Sequence, residues 1–246
     1  MNAETLSLFF YLLLFCIAFL YASVGHGGAS GYLALMALFS YAPDVMRPTA
    51  LMLNIFVATT SFIQYYRGAH FRWRLFWPFA IASIPAAFVG GLIQIDAHLY
   101  KIILGILLLF SVIRLGGLKF DDNAPQRKQH FFASVFIGAI IGILSGMIGI
   151  GGGIILSPLI LLLHWGNMKQ TAAVSALFIL VNSISGMAGL VTKGVHFSPD
   201  MAWMIAIALS GGLLGSYLGS MKVGNKVLRQ TLAVVLLVAS VKLLFT

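Results

Sequence analysis

Apolar stretches run through the whole chain, at residues 5–24, 32–41, 49–66, 75–95, 99–115, 130–148, 154–163, 171–191, 201–220 and 227–245. Several reach the roughly 20 residues that a helix needs to cross a bilayer. Only 9% of the 246 residues are charged, whereas a soluble domain carries about 25%. In lipid the backbone must satisfy its own hydrogen bonds, which leaves helices or a closed barrel. Barrel strands are about 10 residues of alternating polarity. The runs here are long and unbroken, so the expected class is an all-α polytopic membrane protein, with the lipid bilayer as its surroundings.

The net charge of +9 does not point to nucleic acid. Lys and Arg gather at segment ends and in connecting loops, as expected for a membrane protein whose basic loops face the cytoplasm. The lone cysteine, Cys16, lies in an apolar run and offers neither an internal disulfide nor a metal cluster. Asp121 and Asp122 lie in a polar stretch, and Glu4, Asp44, Asp96 and Asp200 at segment edges. No acid is placed to serve as a membrane-embedded ion ligand, and there is no phosphate-binding loop. No catalytic constellation, metal site or cofactor is therefore expected, and the chain reads as a non-enzyme. The first 28 residues lack a basic leader and read as a retained helix.

The polar stretch "KFDDNAPQRKQH" divides the chain nearly in half. Residues 1–118 are expected to form a first transmembrane repeat, 119–129 a linker, and 130–246 a second repeat. "VGHGGASGYLALMALF" (24–39) aligns with "IGIGGGIILSPLILLL" (148–163). "RGAHFRWRLFW" (67–77) aligns with "TKGVHFSPDMAW" (192–203), pairing Gly68 with Gly194, His70 with His196 and Phe71 with Phe197. "AAFVGGLIQ" (86–94) aligns with "GGLLGSYLG" (211–219). An internal duplication of this kind implies a transporter built from two repeats.

Residues 5–24 span about 30 Å as a helix and 32–41 about 15 Å, too long together for one crossing. They read as a glycine-broken hairpin, crossing fully or re-entrant, followed by three crossings. Each repeat then crosses an odd number of times, and the repeats are inverted. Arg47, Lys101, Lys193 and Lys242 fall on one face and the other eleven Lys and Arg on the opposite one. That bias places the linker in the cytoplasm and both termini outside, in the periplasm.

Unwound backbone at membrane depth must be buried in protein or line a cavity. Broken helices turn N–H groups and the positive end of a helix dipole toward one point, which suits an anion. The expected substrate-binding residues are therefore Gly25, His26, Gly27, Gly28 and Ser30 at the first break, and Gly149, Gly151, Gly152, Gly153 and Ser157 at the second. Gly152 is expected to face the substrate. Asn54 and Asn182 supply amides that donate to an anion, or else bond between helices. Ser23, Ser145, Thr49, Thr171 and Ser175 supply hydroxyls, or back-bond to their own helices. His26 binds the anion, carries a proton, or caps carbonyls at an unwound turn. His70 and His196 read as helix-start features. Arg47 guides anions at an outer mouth or snorkels, with Asp44 beside it to neutralise it. The glycines of "AAFVGG" and "GGLLGSYLG" read as packing devices, and Gly211→Ala is expected to have a modest effect.

At the breaks the sequence resembles the TauE/SafE family of sulfite exporter-type anion permeases. "SVGHGGASGYLAL" (23–35) and "SGMIGIGGGIILSPLILLL" (145–163) carry the likeness, together with "TAAVSALFILVNS", "TKGVHF" and "GGLLGSYLG". The second stretch has the family's Gly, apolar pair, Gly-x-Gly-Gly-Gly and following Pro, here Pro158. In the first, His26 and Ala29 replace more usual residues and Ala34 stands where Pro is expected. The resemblance implies export of sulfite, sulfonates or related small anions. An exporter of small carboxylates and a channel-like anion pore stay open beside it, as does assembly into a homo-oligomer.

Overall fold

A computed structural model describes residues 3–117, 125–195, 197, 199–221, 237 and 240–245. Those residues contain helices and no strand: α1 (Ala3–Ala22), α2 (Ala29–Leu38), α3 (Pro43–Arg67), α4 (Trp73–Leu92), α5 (Ala97–Gly117), α6 (Phe131–Ile148), α7 (Gly153–Leu162), α8 (Met168–Val191) and α9 (Met201–Met221). The expected segment 227–245 and His196 lie largely outside the described residues, although 240–245 are helical. Among the described residues four helices, α4, α6, α8 and α9, are long and apolar enough to cross a membrane.

Helix α3 starts at Pro43, not near residue 49. Pro43 occupies the first turn, where a missing N–H costs nothing and the fixed φ favours the helix. The polar "PDVMR" run therefore extends a buried helix instead of forming a loop. Helix α8 opens on a capping box: the Asn167 side chain accepts from Gln170 N at 2.9 Å, and Gln170 Oε1 accepts from Asn167 N at 3.2 Å. This satisfies two end donors that would otherwise go unpaired.

Helix α4 packs on α6 and α8, α1 on α9, and α3 on both α8 and α9. Two of these seams are rows of glycine at four-residue spacing. On α6, a β-carbon at Gly138, Gly142 or Gly146 would overlap the carbonyls of Phe79, Ser83 and Ala87 in turn, themselves four apart on α4. On α9, Gly211, Gly215 and Gly219 lie in the same way against Phe15 and Phe19 of α1 and Ser23 just past its end. Without an apolar driving force between helices in lipid, such close backbone approach is a main source of association. The close approach revises one expectation. A β-carbon on Gly211 would lie 2.5 Å from Phe15 O, a backbone atom that cannot swing away, so alanine is not a mild substitution there.

The outer faces carry large apolar side chains such as Phe132, Phe136 and Trp203, and polar side chains turn inward: Asn54, Ser83, Ser134, Ser175 and Asn182 are completely buried. The described end of the linker packs back on the fold, with Arg127 N donating to His164 O at 2.7 Å and Gln126 bonding Gln170. His70, in the turn between α3 and α4, has its pKa lowered by burial and then by Lys169.

Candidate functional site

The two breaks have the same backbone design. Gly25 and Gly149 leave α1 and α6 with φ of +74° and +90°, and three residues later Gly28 and Gly152 enter α2 and α7 with φ of +97° and +79°. This left-handed region costs other L-residues about 1–2 kcal/mol and costs glycine little. Neither cap provides a side chain for the first N–H groups of its short helix, so those donors must find partners elsewhere. The breaks differ at one point: Gly151 also has positive φ, at +70°, and the matching Gly27 does not.

Each break seats on the other half of the chain. A β-carbon at Gly25 would lie 2.5 Å from Ala172 Cβ of α8, and one at Gly149 would lie 3.0 Å from Arg47 O of α3. Between them stands Asn54. Its Oδ1 accepts from Ala29 N at 3.1 Å, the start of α2, and its Nδ2 donates to Ser183 Oγ of α8 at 3.3 Å. Gly27 faces Oδ1, Gly151 faces Nδ2, and both lie against Ile179. The two breaks thus converge on one buried carboxamide.

His26 reaches across from the first break to the second. Its Nδ1 donates to Val24 O at 2.9 Å, and its Nε2 is 2.9 Å from Ser157 Oγ on α7. Ser157 Oγ is also 2.8 Å from Gly153 O and 2.7 Å from Ser175 Oγ on α8. Ser30 donates to Tyr21 Oη at 2.8 Å, and Ser23 back-bonds to Leu20 O.

Other candidates lie apart from the breaks or point away. Asn182 donates to Phe178 O of its own helix, and its Oδ1 is buried without a partner. Its neighbour Ser183 is the residue that meets Asn54. Gly152 does not face Asn54: a β-carbon there would meet Ile141 and Phe178, so its requirement is conformation and packing. The Gly153 position is closed by Ile179. Thr49, Thr171 and Ser145 do not back-bond; their hydroxyls are buried and unpartnered.

Arg47 corrects its expectation. It is 7% exposed. Its guanidinium donates to Gly146 O at 3.0 Å, Ile93 O at 3.0 Å, and Gly90 O and Gly91 O at 2.8 Å. It closes the C-terminal ends of α4 and α6, where unpaired carbonyls and the helix dipoles attract a cation. Asp44 does not neutralise it, since that carboxylate accepts from Val45 N. At the far end of α2 a cavity of about 220 Å³ is lined by Ser40, Tyr41, Lys101 and Lys242. Lys242 there donates to Ala37 O and Leu38 O.

Sequence reasoning missed Tyr21, Tyr32 and Ser183. Tyr32 is fully buried, its hydroxyl is unpartnered, and it lies against Gly28. Its signal was available, a tyrosine one turn past the break at the head of an apolar run. The described residues hold no cluster of three metal-ligating side chains. What the breaks assemble is a set of amide and hydroxyl donors with no carboxylate among them, a chemistry suited to an anion.

The sequence pattern of the sulfite exporter TauE/SafE family matches residues 10–243. The chain belongs to that family. A probable membrane transporter protein y4hK of Sinorhizobium fredii is 35% identical over 235 residues, covering 94% of this chain and 95% of that one. The probable membrane transporter protein YunE of Bacillus subtilis is 23% identical, covering 82% and 81%. A probable membrane transporter protein of Methanocaldococcus jannaschii is 27% identical, covering 74% and 71%. No solved structure matches. This TauE/SafE chain is therefore a multi-pass membrane transporter.

Proposed function

We propose that the chain is a secondary transporter that exports small sulfur-containing anions, such as sulfite or organosulfonates, across a bacterial inner membrane. The observation that carries this reading is the convergence of the two left-handed glycine breaks on Asn54. Gly25–Gly28, His26, Ser30, Gly149, Gly151 and Ser157 form the anion site with Asn54. The Asn54 carboxamide oxygen accepts from Ala29 N, a donor at the start of α2 that an anion oxygen would compete for. The remaining expected ligands, Gly152, Gly153 and Asn182, support that site from behind. Exchange in proteoliposomes against sulfite, sulfoacetate, thiosulfate and lactate tests the reading. Saturable exchange of the sulfur anions is expected, and exchange of lactate alone would replace them with carboxylates.

Asn54→Asp keeps an acceptor for Ala29 N but places a negative charge where both breaks face. Anion affinity is expected to fall at least about tenfold, since like charges at this range and burial repel by more than 1.4 kcal/mol. Isothermal titration with wild-type affinity in N54D would move the site elsewhere.

The crossed seating of the breaks is the pattern that two inverted repeats, 1–118 and 130–246, would produce. In that arrangement the linker is cytoplasmic and both termini are periplasmic. Single cysteines at Asn2 and Asn123, in a Cys16→Ser background, are expected to label from opposite sides. Labelling from the same side would overturn the inversion.

A further inference from the structure

We propose that the Tyr32 hydroxyl is a ligand of the transported anion and donates to one of its oxygens at the head of α2. This rests on the anion-transport reading above, and it sets the anion's oxygens at the first break.

Side chains on a helix lean back over the turn before them. One turn before Tyr32 is Gly28, which has no side chain to stand in the way. The phenol fills that space: a β-carbon on Gly28 would lie 2.6 Å from Tyr32 Cζ and 2.6 Å from Tyr32 Oη. The hydroxyl is thereby carried to the N-cap of α2, at the positive end of the helix. Tyr32 is completely buried, and its Oη has no hydrogen-bond partner. A hydroxyl that gives up water on burial needs an acceptor in return.

Tyr32 is unlike the other unpartnered groups. Among the described residues Thr49, Ser61, Ser83, Ser145 and Thr171 also bury a hydroxyl without a partner, and all five lie within helices. A turn about χ1 brings such a hydroxyl onto a carbonyl of its own helix. Asn182 Oδ1 is an acceptor and has no use for an anion. Tyr32 has neither way out. The carbonyls of α2 point toward its C-terminus, away from the end where the hydroxyl lies. What a helix presents at its N-terminus is N–H groups, which cannot accept.

The other donors at this end need the same kind of partner. The cap gives no side chain to the first N–H groups of α2, and Ala29 N is held from α3 by Asn54 Oδ1 at 3.1 Å. Ser30 donates its own proton to Tyr21 Oη. α2 carries no carboxylate to fill the place. Tyr32 Oη on Gly28 and the N–H of Ala29 next to it are therefore two donors for one anion of several oxygens. The second break has no counterpart: the residue that aligns with Tyr32 is Leu156. The phenol ligand belongs to the first break alone, although the second has one more glycine.

Tyr32→Phe removes the oxygen and keeps the ring, and it separates a ligand from a structural hydroxyl. Loss of an unpaired buried group relieves a cost to folding, so the anion-free thermal midpoint in detergent is expected to equal wild type or rise. Loss of a ligand weakens binding. The dissociation constant for whichever of sulfite, sulfoacetate, thiosulfate or lactate wild type exchanges is expected to rise about tenfold or more, as for a hydrogen bond to a charged group. The same anion concentration is then expected to raise the midpoint less than in wild type. Titration calorimetry and thermal scans read the two effects. Wild-type affinity in Y32F would overturn the assignment and leave the transport reading standing. An anion-free midpoint below wild type, or failure to fold, would do the same, since either means that the hydroxyl is bonded within the protein. No exchange of any of the four anions by wild type would overturn both readings.

Discussion

Arg47→Leu is expected to prevent recovery of folded protein, or to lower its thermal midpoint in detergent more than any other single side-chain replacement on α3. The guanidinium answers four carbonyls from two helices at once. Leucine fills part of the volume and leaves those acceptors buried and unpaired. Leaving a buried acceptor unsatisfied costs about 1–3 kcal/mol, and Leu leaves up to four of them, against a total stability of about 5–15 kcal/mol. Arg47→Lys should fall between. It keeps a positive charge at two negative helix ends, but an ammonium is a compact point donor and cannot span acceptors that the planar fork reaches together. A thermal scan in which Arg47→Leu unfolds with wild type would show that the carbonyls find other partners.

Gly27→Ala is expected to reduce saturable anion exchange at least about tenfold while the protein stays folded. Gly27 is not in the left-handed region, so alanine brings no backbone strain there. Its β-carbon would meet Asn54 Oδ1 at 2.5 Å and Ile179 Cγ2 at 2.9 Å, both ends of side chains. These can turn aside, and in doing so Asn54 leaves Ala29 N. The damage falls on the convergence point and spares the scaffold. Gly152→Val is a different experiment. Valine there adds left-handed strain and drives into Ile141 and Phe178, so it tests folding more than binding. Wild-type exchange kinetics in Gly27→Ala, at matched membrane yield and melting temperature, would detach the glycine breaks from transport.

Much of this was legible in the sequence, because glycine runs in apolar helices have few explanations and a duplicated order has fewer. The breaks fall where the runs are, and the short helices begin at their last glycines. What was not legible depends on direction. Asn182 and Ser183 are adjacent, and only helix rotation decides that the serine meets Asn54 while the amide turns back on Phe178. Gly151 and Gly152 are adjacent too, and although both have positive φ, the turn of the backbone between them faces one toward Asn54 and the other into the core. Arg47 was misread because its partners are backbone atoms of α4 and α6, distant in sequence, and backbone acceptors leave no mark in composition. The start of α3 was missed because its polar first turn resembles a loop until Pro43 is recognised as a helix opener.

The seating of each break on the opposite half sets the order in which the protein can be made. When α1 and α2 enter the membrane, the surface that receives Gly25 does not yet exist, because Ala172 is still to be synthesised. At about 5–20 residues per second, the first break waits on the order of 10 s for α8. Throughout that time Gly25 N, His26 N and Ala29 N already have their acceptors, Ala22 O, Tyr21 O and Asn54 Oδ1, within the first half, but the face of the break that packs on α8 lies open. The first half therefore reaches the membrane with its break hydrogen-bonded but uncovered, and the packing on α8 closes it only when that sequence-distant helix arrives.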